Sequence, residues 1–274
     1  MSSITRSSRG SPWVYRSLIW SFAERDLKSR FRGTLLGWVW SLMIPLSTVI
    51  IYTVVFSVVF RSQPPPFGNG KEGNYAVWLL VGMVTYSFFS VSANGGIPSL
   101  LAAGTLLQKI YLPSYVPVIG TAISTAMQSL IEFGIVLLIL LAIMNVSWTW
   151  LLMPLLLALL FVFVLSLTMV LSILNVYARD VQQITGVAVQ LLFFLSPIIY
   201  PLSQVPEEWN GIPVQAIMSA NPMAEFIEAF RSVLYDLTLP DAGTFAALLA
   251  WTAGMTLLAW WVYLRKGQDI GEAI

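Results

Sequence analysis

Apolar residues gather along this chain into long stretches nearly free of charge, separated by short polar breaks. The first runs from Gly37 to Phe60, and the second starts at Tyr75 and ends near the Asn94-Gly95-Gly96-Ile97-Pro98 break. The third, about Val116 to Met144, holds a single acid, Glu132; the polar break Asn145 to Thr149 separates it from a fourth ending near Val176. The fifth covers about Ile184 to Tyr200, closed by Pro197 and Pro201, and the sixth about Thr244 to Leu264. Crossing about 30 Å of hydrocarbon takes roughly 20 apolar residues in a helix. The pattern therefore predicts an all-α polytopic membrane protein with about six transmembrane helices. It forms one domain over 1–274: a tail and interfacial helix in 1–34, a six-span core in 35–264, and a tail in 265–274. No repeat of 20–50 residues, the mark of a solenoid or propeller, is visible.

Two further segments are neither spans nor plain loops. Trp13 to Arg32 opens with Trp13, Tyr15, Leu18, Ile19, Trp20 and Phe22 and then turns densely charged. Its apolar phase slips after Phe22, because Leu27 comes five positions later. This reads as an interfacial helix lying under the inner leaflet; an ordinary basic anchor before the first span is the simpler alternative. In Asn221 to Leu237, Asn221 suits an N-cap and Pro222 the first helical position. Met223, Phe226, Ile227, Phe230, Val233 and Leu234 then recur as a helical stripe, with Glu225 and Glu228 off it and Glu228 three before Arg231. Too short to span, this segment is expected to be re-entrant or surface-lying, with Pro206 to Trp209 beginning its partner.

Composition strengthens the membrane reading. The chain is 57% hydrophobic and 10% charged, against about 25% charged in soluble domains. A net charge of +1 gives no basic stripe for nucleic acid. The absence of Cys and His from the sequence removes disulfides, thiol catalysis, zinc centres and His-based triads. Met1 to Pro12 is polar and basic with no apolar core, so no cleavable signal peptide is expected. On an N-in topology the inner segments hold Arg6, Arg9, Arg16, Arg25, Lys28, Arg30, Arg32, Lys109, Arg179, Arg265 and Lys266, leaving only Arg61, Lys71 and Arg231 of the 14 basic residues outside. The outer segments also carry Glu72, Glu207, Glu208, Glu225, Glu228, Asp236 and Asp241. This asymmetry places both termini in the cytoplasm.

Candidate chemistry is sparse. No GxxxxGK[ST] phosphate loop occurs, so ATP or GTP hydrolysis by that route is not expected here. Asp236 and Asp241 lie five apart and Asp180 stands alone, which leaves no acidic motif for a metal-dependent membrane transferase. Glu132 is the ionisable residue deep in a span, a default functional candidate. A proton-coupled carrier would show paired charges or inverted repeats, and neither is visible, so a packing hydrogen bond is the preferred reading of Glu132. The chain has 11 Trp, 10 Tyr and 15 Phe. Trp13, Trp20, Trp148, Trp150, Trp260 and Trp261 fit interfacial belts. Tyr52, Phe56, Tyr86, Phe88, Phe89, Phe193, Phe194 and Tyr200 fall within or at the outer ends of spans. Facing a common path, they would offer flat apolar surfaces and a few hydroxyls that suit sugar rings; packing is the simpler reading of any one. The short loop Leu106 to Pro113, mixed apolar and basic, would serve as an elbow docking into a partner's groove.

The run Arg25-Asp26-Leu27-Lys28-Ser29-Arg30-Phe31-Arg32-Gly33-Thr34-Leu35-Leu36-Gly37-Trp38-Val39-Trp40, with Pro45 and Leu46 following, resembles the entry to the first span of ABC-2 type permeases, nearest the branch exporting lipid-linked O-antigen and teichoic acid. Lys109 with Pro113 and Pro117, Arg179-Asp180-Val181, Ser196-Pro197-Ile198-Ile199-Tyr200-Pro201, and Asn221-Pro222-Met223 leading to Arg231 extend the resemblance along almost the whole chain. It implies a half-transporter in the bacterial cytoplasmic membrane, with two copies forming the pore and two copies of a separate ATPase driving it. ATP and Mg would be bound by that ATPase, with no cofactor in this chain. Gln108, Lys109, Ile110, Tyr111, Leu112 and Pro113 would be the coupling helix, and Trp13 to Arg32 a gate. Arg25, Lys28, Arg30 and Arg32 would attract the pyrophosphate of a polyprenyl-linked polysaccharide of O-antigen, teichoic acid, galactan or capsule type, or simply bind anionic membrane lipid. Trp38, Tyr52, Phe56, Tyr86, Phe89, Phe193 and Tyr200 would line the conduit. Export of a drug or simple lipid by the same type of permease is the alternative, ahead of a secondary transporter.

Overall fold

A computed structural model describes residues 15–31, 33, 37–61, 64–104, 106, 112–267 and 270. Among them the chain is helical throughout its regular structure, apart from one isolated bridge between Trp209 and Ile212. Helix α1 covers Arg16–Phe31. A 3₁₀ turn, Gly37–Val39, leads into α2, Trp40–Thr53, which contains Pro45 and continues as a π turn, Val54–Val59. Then come α3, Tyr75–Gly96; α4, Tyr115–Ala142; and α5, Met153–Tyr177, entered through the 3₁₀ turn Trp148–Leu152. The set is completed by α6, Asp180–Leu195; α7, Pro222–Leu234; and α8, Ala242–Val262. Four helical stretches are long and apolar enough to cross a membrane: Tyr75–Gly96, Tyr115–Ala142, Trp148–Tyr177 and Ala242–Gly267. Met43–Val59 and Asp180–Leu195 are shorter apolar helices. The chain is thus an all-α polytopic membrane protein, the class its hydropathy predicts.

Local chemistry sets these boundaries. The Asn74 carboxamide oxygen accepts from the amides of Ala76 and Val77 and starts α3; Asp241 does the same for Gly243 and α8. The fifth apolar helix runs earlier than its hydropathy implies, from Asp180 to Leu195 instead of Ile184 to Tyr200. Asp180 suits the positive end of a helix. Ser196, preceding Pro197, takes an extended backbone of φ −96° and ψ 142°, as the residue before proline prefers. The expected helix start at Pro206 to Trp209 is also displaced. Trp209 and Ile212 bond each other across Asn210 and Gly211, whose φ values are 51° and 79°, a tight hairpin turn. The helix preceding α7 is instead Val214–Ser219.

Two apolar clusters organise the bundle. The larger gathers α3, α4, α5 and α7 and includes Trp78, Phe133, Phe163, Phe226 and Phe230. The smaller joins Ile19 and Phe22 of α1 to Leu100, Leu112, Val116, Ile173, Val262 and Ile270. Helix α1 crosses α4 at Gly120, where an added Cβ would stand 2.5 Å from the Phe22 Cβ and 3.2 Å from the Ile19 carbonyl oxygen. Glycine there lets two backbones meet, and the slipped apolar phase of α1 follows: Ile19, Phe22 and Ala23 are buried while Glu24, Arg25 and Lys28 stay exposed.

The start and end of the described chain meet at one end of the bundle, here the α1 end. Tyr15 packs edge-on against Tyr115, and Tyr115 against Tyr263. Ser114 donates to the Gly267 carbonyl at 2.7 Å and Tyr177 to that of Lys266 at 3.1 Å. At the opposite end, α7 is sunk into the bundle, with Met223, Phe226, Ile227, Phe230, Val233 and Leu234 all fully buried. Asn145 ties it down: its Nδ2 donates to the carbonyls of Leu234 and Tyr235 at 3.0 and 2.9 Å, and its Oδ1 accepts from the Asn69 amide. Thr149 donates to the Val233 carbonyl at 2.9 Å. The Tyr235 hydroxyl donates to the Pro65 carbonyl and accepts from the Asn74 amide.

Asp236, just beyond α7, feels this packing. Burial lifts its carboxyl to about 6, the Glu228 carboxylate adds to the rise, and the Arg231 guanidinium opposes it. A raised acid holds its proton in the fold at pH values where the unfolded chain has released it. The associated stability is present below about pH 4 and lost as pH rises through about 6. Hydrogen exchange across 222–237 is therefore expected to be slower relative to intrinsic rates at pH 5 than at pH 7.5. Asp236→Asn should flatten that dependence; an unchanged slope would contradict it.

Candidate functional site

Between α2, α3 and α6 lies an open cavity of about 440 Å³. Its α2 wall is Ile44, Pro45, Thr48 and Tyr52. The α3 wall is Met83, Tyr86, Ser87, Ser90, Val91 and Asn94, and the α6 wall is Gly186, Val189, Gln190, Phe193 and Phe194. Rings and polar groups segregate along α3: Tyr86 stands toward the α7 end, while Ser87, Ser90 and Asn94 follow toward the α1 end. The rings form a continuous ladder. Phe89 lies 5.5 Å from Tyr86, Tyr86 is 5.4 Å from Phe193, Phe193 is 6.2 Å from Tyr52 and Tyr52 is 6.1 Å from Phe56. Phe56 then meets Phe60 at 5.4 Å and stacks on Tyr75 at 6.0 Å. Such a surface offers apolar ring faces to a flat ligand, with hydroxyl and carboxamide groups to orient it.

The residues singled out in the sequence are distributed as follows. Tyr52, Tyr86 and Phe193 line the cavity. Phe56 continues the ladder beyond it, and Phe89 is buried behind the wall against Tyr86. Tyr200 donates to the Phe194 carbonyl just past the end of α6. Trp38 sits in the 3₁₀ turn before α2, its side chain outside the described residues. Arg25 is exposed with its guanidinium 4.8 Å over the Phe22 ring, and Lys28 is exposed and paired with Glu24 at 2.5 Å. Arg30 turns inward, donating to Asp26 and to the Thr125 hydroxyl of α4, each at 3.0 Å. Its Nη2 stands 3.2 Å from where a Cβ on Gly95 would be, which puts it against the α1 end of α3. Leu112 is buried in the smaller cluster, and the Pro113 carbonyl accepts from Val116. Arg32, Gln108, Lys109, Ile110 and Tyr111 lie outside the described residues.

Glu132 is buried, with 3% exposure, on the α4 face toward α3. Its Oε1 accepts from Gln128 Nε2 at 3.0 Å, and Ser87 of the cavity wall is its neighbour on α3. It extends a buried polar stripe of α4 formed by Thr121, Ser124, Thr125, Gln128 and Ser129. A hydrogen-bonding role predicts that Glu132→Gln keeps the thermal midpoint near that of the parent. Glu132→Leu, which orphans the Gln128 amide, should cost about 1–3 kcal/mol. Unfolding both variants in detergent checks this, and a Leu variant as stable as the parent would contradict it.

Arg231 is the residue that reading by charge misplaced. Counted among the basic residues of the outer segments, three after Glu228, it is only 2% exposed. Its Nη1 donates to the Pro197 carbonyl and its Nη2 to that of Ile198 at 2.8 Å, while the guanidinium carbon lies 3.4 Å over the Trp78 ring. Among the described residues the ion pairs are Lys28–Glu24 and Arg30–Asp26. A signal was available: Arg231 falls four after Ile227 and three before Leu234, on the buried stripe itself. Asn145 had a weaker one, as a lone amide in a polar break.

A helical bundle with long apolar helices and a ring-lined groove between them defines a polytopic membrane protein. The chain belongs to the ABC-2 type transporter family, whose family model matches residues 17–235. It is 28% identical over 264 residues to an O-antigen export system permease protein of Myxococcus xanthus, covering 96% of this chain and 97% of that one. A Klebsiella pneumoniae protein of the same description is 26% identical, covering 79% of each chain. The polysialic acid transport protein of Escherichia coli is 21% identical, covering 91% and 92%.

Proposed function

We propose that this chain is the transmembrane half of an ATP-driven exporter that moves a lipid-linked polysaccharide outward across the bacterial cytoplasmic membrane. The observation that carries the reading is the run of partly exposed rings Tyr52, Phe56 and Phe193, backed by the buried rings of Phe89, Tyr86 and Tyr75 and bordered by hydroxyl and amide groups. That is a surface on which successive sugar units can slide without one strong site holding them. The relatives' descriptions as O-antigen and polysialic acid transport proteins agree with it.

On this reading the α1 end faces the cytoplasm, and a separate ATPase, present in two copies, seats on residues 108–113. Leu112 shares an apolar cluster with Ile19 and Phe22 of α1, so a push on that segment moves the gate helix as one body with it. Arg25, over the Phe22 ring, and Lys28, paired with Glu24, are exposed cations of α1 suited to the phosphates of the lipid carrier. A second copy of the chain closes the open side, since the apolar residues Ile50, Ile51 and Val54 of α2 and its π turn and Ile184, Val187 and Leu191 of α6 are exposed beside it. Co-expression with the neighbouring ATPase and reconstitution into lipid tests this. The reading requires a complex whose ATP turnover changes when Lys109 or Tyr111 is altered and which exports a polyprenyl-linked glycan. Export without ATP, or of small amphiphiles in place of glycan, would refute it.

A further inference from the structure

We infer that Arg231 is a positioning residue: it clasps the outer end of α6 to α3 and α7, and so fixes the wall of the groove that carries Val189 and Phe193. The inference rests on the proposed transport role for its consequence, though not for its geometry.

Helix α6 itself fully buries only Thr185 and Val189. Leu192 and Phe193 pack on the larger cluster and Ile198 and Ile199 just past the helix are buried in it, and a set of polar clasps adds to that hold. Tyr86 of α3 donates to the Val189 carbonyl, and Tyr75 of α3 to that of Ile199. Arg231 of α7 takes both intervening carbonyls, Pro197 and Ile198, and Asn221 Nδ2 reaches Ser196 Oγ at 2.9 Å. Away from water nothing competes for these carbonyls, and losing a partner costs more than it would at a surface.

Arg231 differs from the other clasps in three ways. Its planar fork spans two consecutive carbonyls, which one lysine nitrogen cannot reproduce. No carboxylate pairs with it within 4 Å among the described residues; Glu228 and Asp236 act on it only at longer range, so its direct contacts are those carbonyls and the Trp78 face. It also stands in the last turn of α7, the end that Asn145 and Thr149 anchor. The seat on α3 is a glycine: a Cβ at Gly82 would lie 2.6 Å from Nη2 and 3.3 Å from the guanidinium carbon. The Ser196–Pro201 and Asn221–Arg231 segments, separate in sequence, thus form one joint less than two helical turns from Phe193.

The chain lacks cysteine, so Val189→Cys reports α6 cleanly: it is buried against α3 and should react slowly with a water-soluble maleimide in the reconstituted complex. In that background Arg231→Met is expected to raise the labelling rate at least tenfold. In the cysteine-free complex Arg231→Met should lower glycan exported per ATP hydrolysed at least tenfold while ATP turnover continues. Arg231→Lys should fall between, and Gly82→Ala, which displaces the guanidinium without removing it, should reproduce the Met variant in part. Arg231→Met with parental labelling and parental coupling would overturn the inference. If that variant fails to assemble, Gly82→Ala and Tyr75→Phe decide, and parental values in both overturn it equally. Labelling needs neither substrate nor ATP, so a complex that exports no glycan would sink the transport reading and leave this test standing.

Discussion

Replacing Tyr52 and Phe193 together by alanine is expected to cut glycan export ten- to hundredfold while the assembled complex continues to hydrolyse ATP. The two rings are adjacent rungs, 6.2 Å apart, and each touches a further rung, Phe56 at 6.1 Å and Tyr86 at 5.4 Å. Removing both takes two partly exposed rings from the cavity wall and breaks the run that links Tyr86 to Phe56. Aromatic contacts are worth about 0.5–1.5 kcal/mol each, and 1.4 kcal/mol is a factor of ten, which sets the size of the effect. Both side chains are only partly buried, so the loss in stability should be small beside the loss in export. Phe163→Leu is the control: its ring packs against Phe226 at 5.5 Å in the closed core. It should lower the thermal midpoint and leave export per folded complex unchanged. Equal export by the double variant and the parent would remove the ladder from the transport path, as would a defect matched by the control.

Asn145→Leu is expected to destabilise the α7 end by roughly 3–5 kcal/mol, a large share of the 5–15 kcal/mol typical of a domain. Asn145 is fully buried and serves three backbone groups: the carbonyls of Leu234 and Tyr235 and the amide of Asn69. Leucine fills much the same volume and satisfies none of them. The Tyr235 carbonyl keeps the Gly68 amide and Asn69 is exposed, so the cost is about 1–3 kcal/mol for the orphaned Leu234 carbonyl and roughly 1 kcal/mol for each of the other two lost bonds. Thr149→Val, which removes one hydrogen bond to the Val233 carbonyl, should cost about 1 kcal/mol by the same rule. Thermal unfolding of both variants in detergent gives the comparison. An Asn145→Leu protein within 1 kcal/mol of the parent would mean that the α7 cap is held by its apolar stripe alone.

The helices were legible because each is fixed by residues close together in sequence. The span α3 runs from the Asn74 cap to the double glycine at its end, and α7 starts at Asn221 and Pro222 with its stripe wholly buried. Hydropathy and capping act over a few residues, so reading along the chain finds them. The fifth helix was misplaced because its two limits come from different rules: an acidic first turn that hydropathy discounts, and a proline that acts on the residue before it. Arg231 was misread because charge was weighed before phase.

The sequence by itself determined that lipid is the solvent, that helices carry the fold, where most of them begin and end, and, through its motifs, the family. Only the tertiary structure decided which rings share a groove, because Tyr52, Tyr86 and Phe193 sit on helices whose relative rotation is set by packing between distant segments. It also decided that Arg30 turns inward while Arg25 and Lys28 do not, since that depends on Gly120 admitting α1 against α4. The same holds for Arg231: whether a guanidinium faces water or two carbonyls turns on what another segment, more than 30 residues earlier, presents to it. Hydrogen bonds and ring contacts are made at a few ångströms between residues far apart in sequence, and no local pattern encodes that distance.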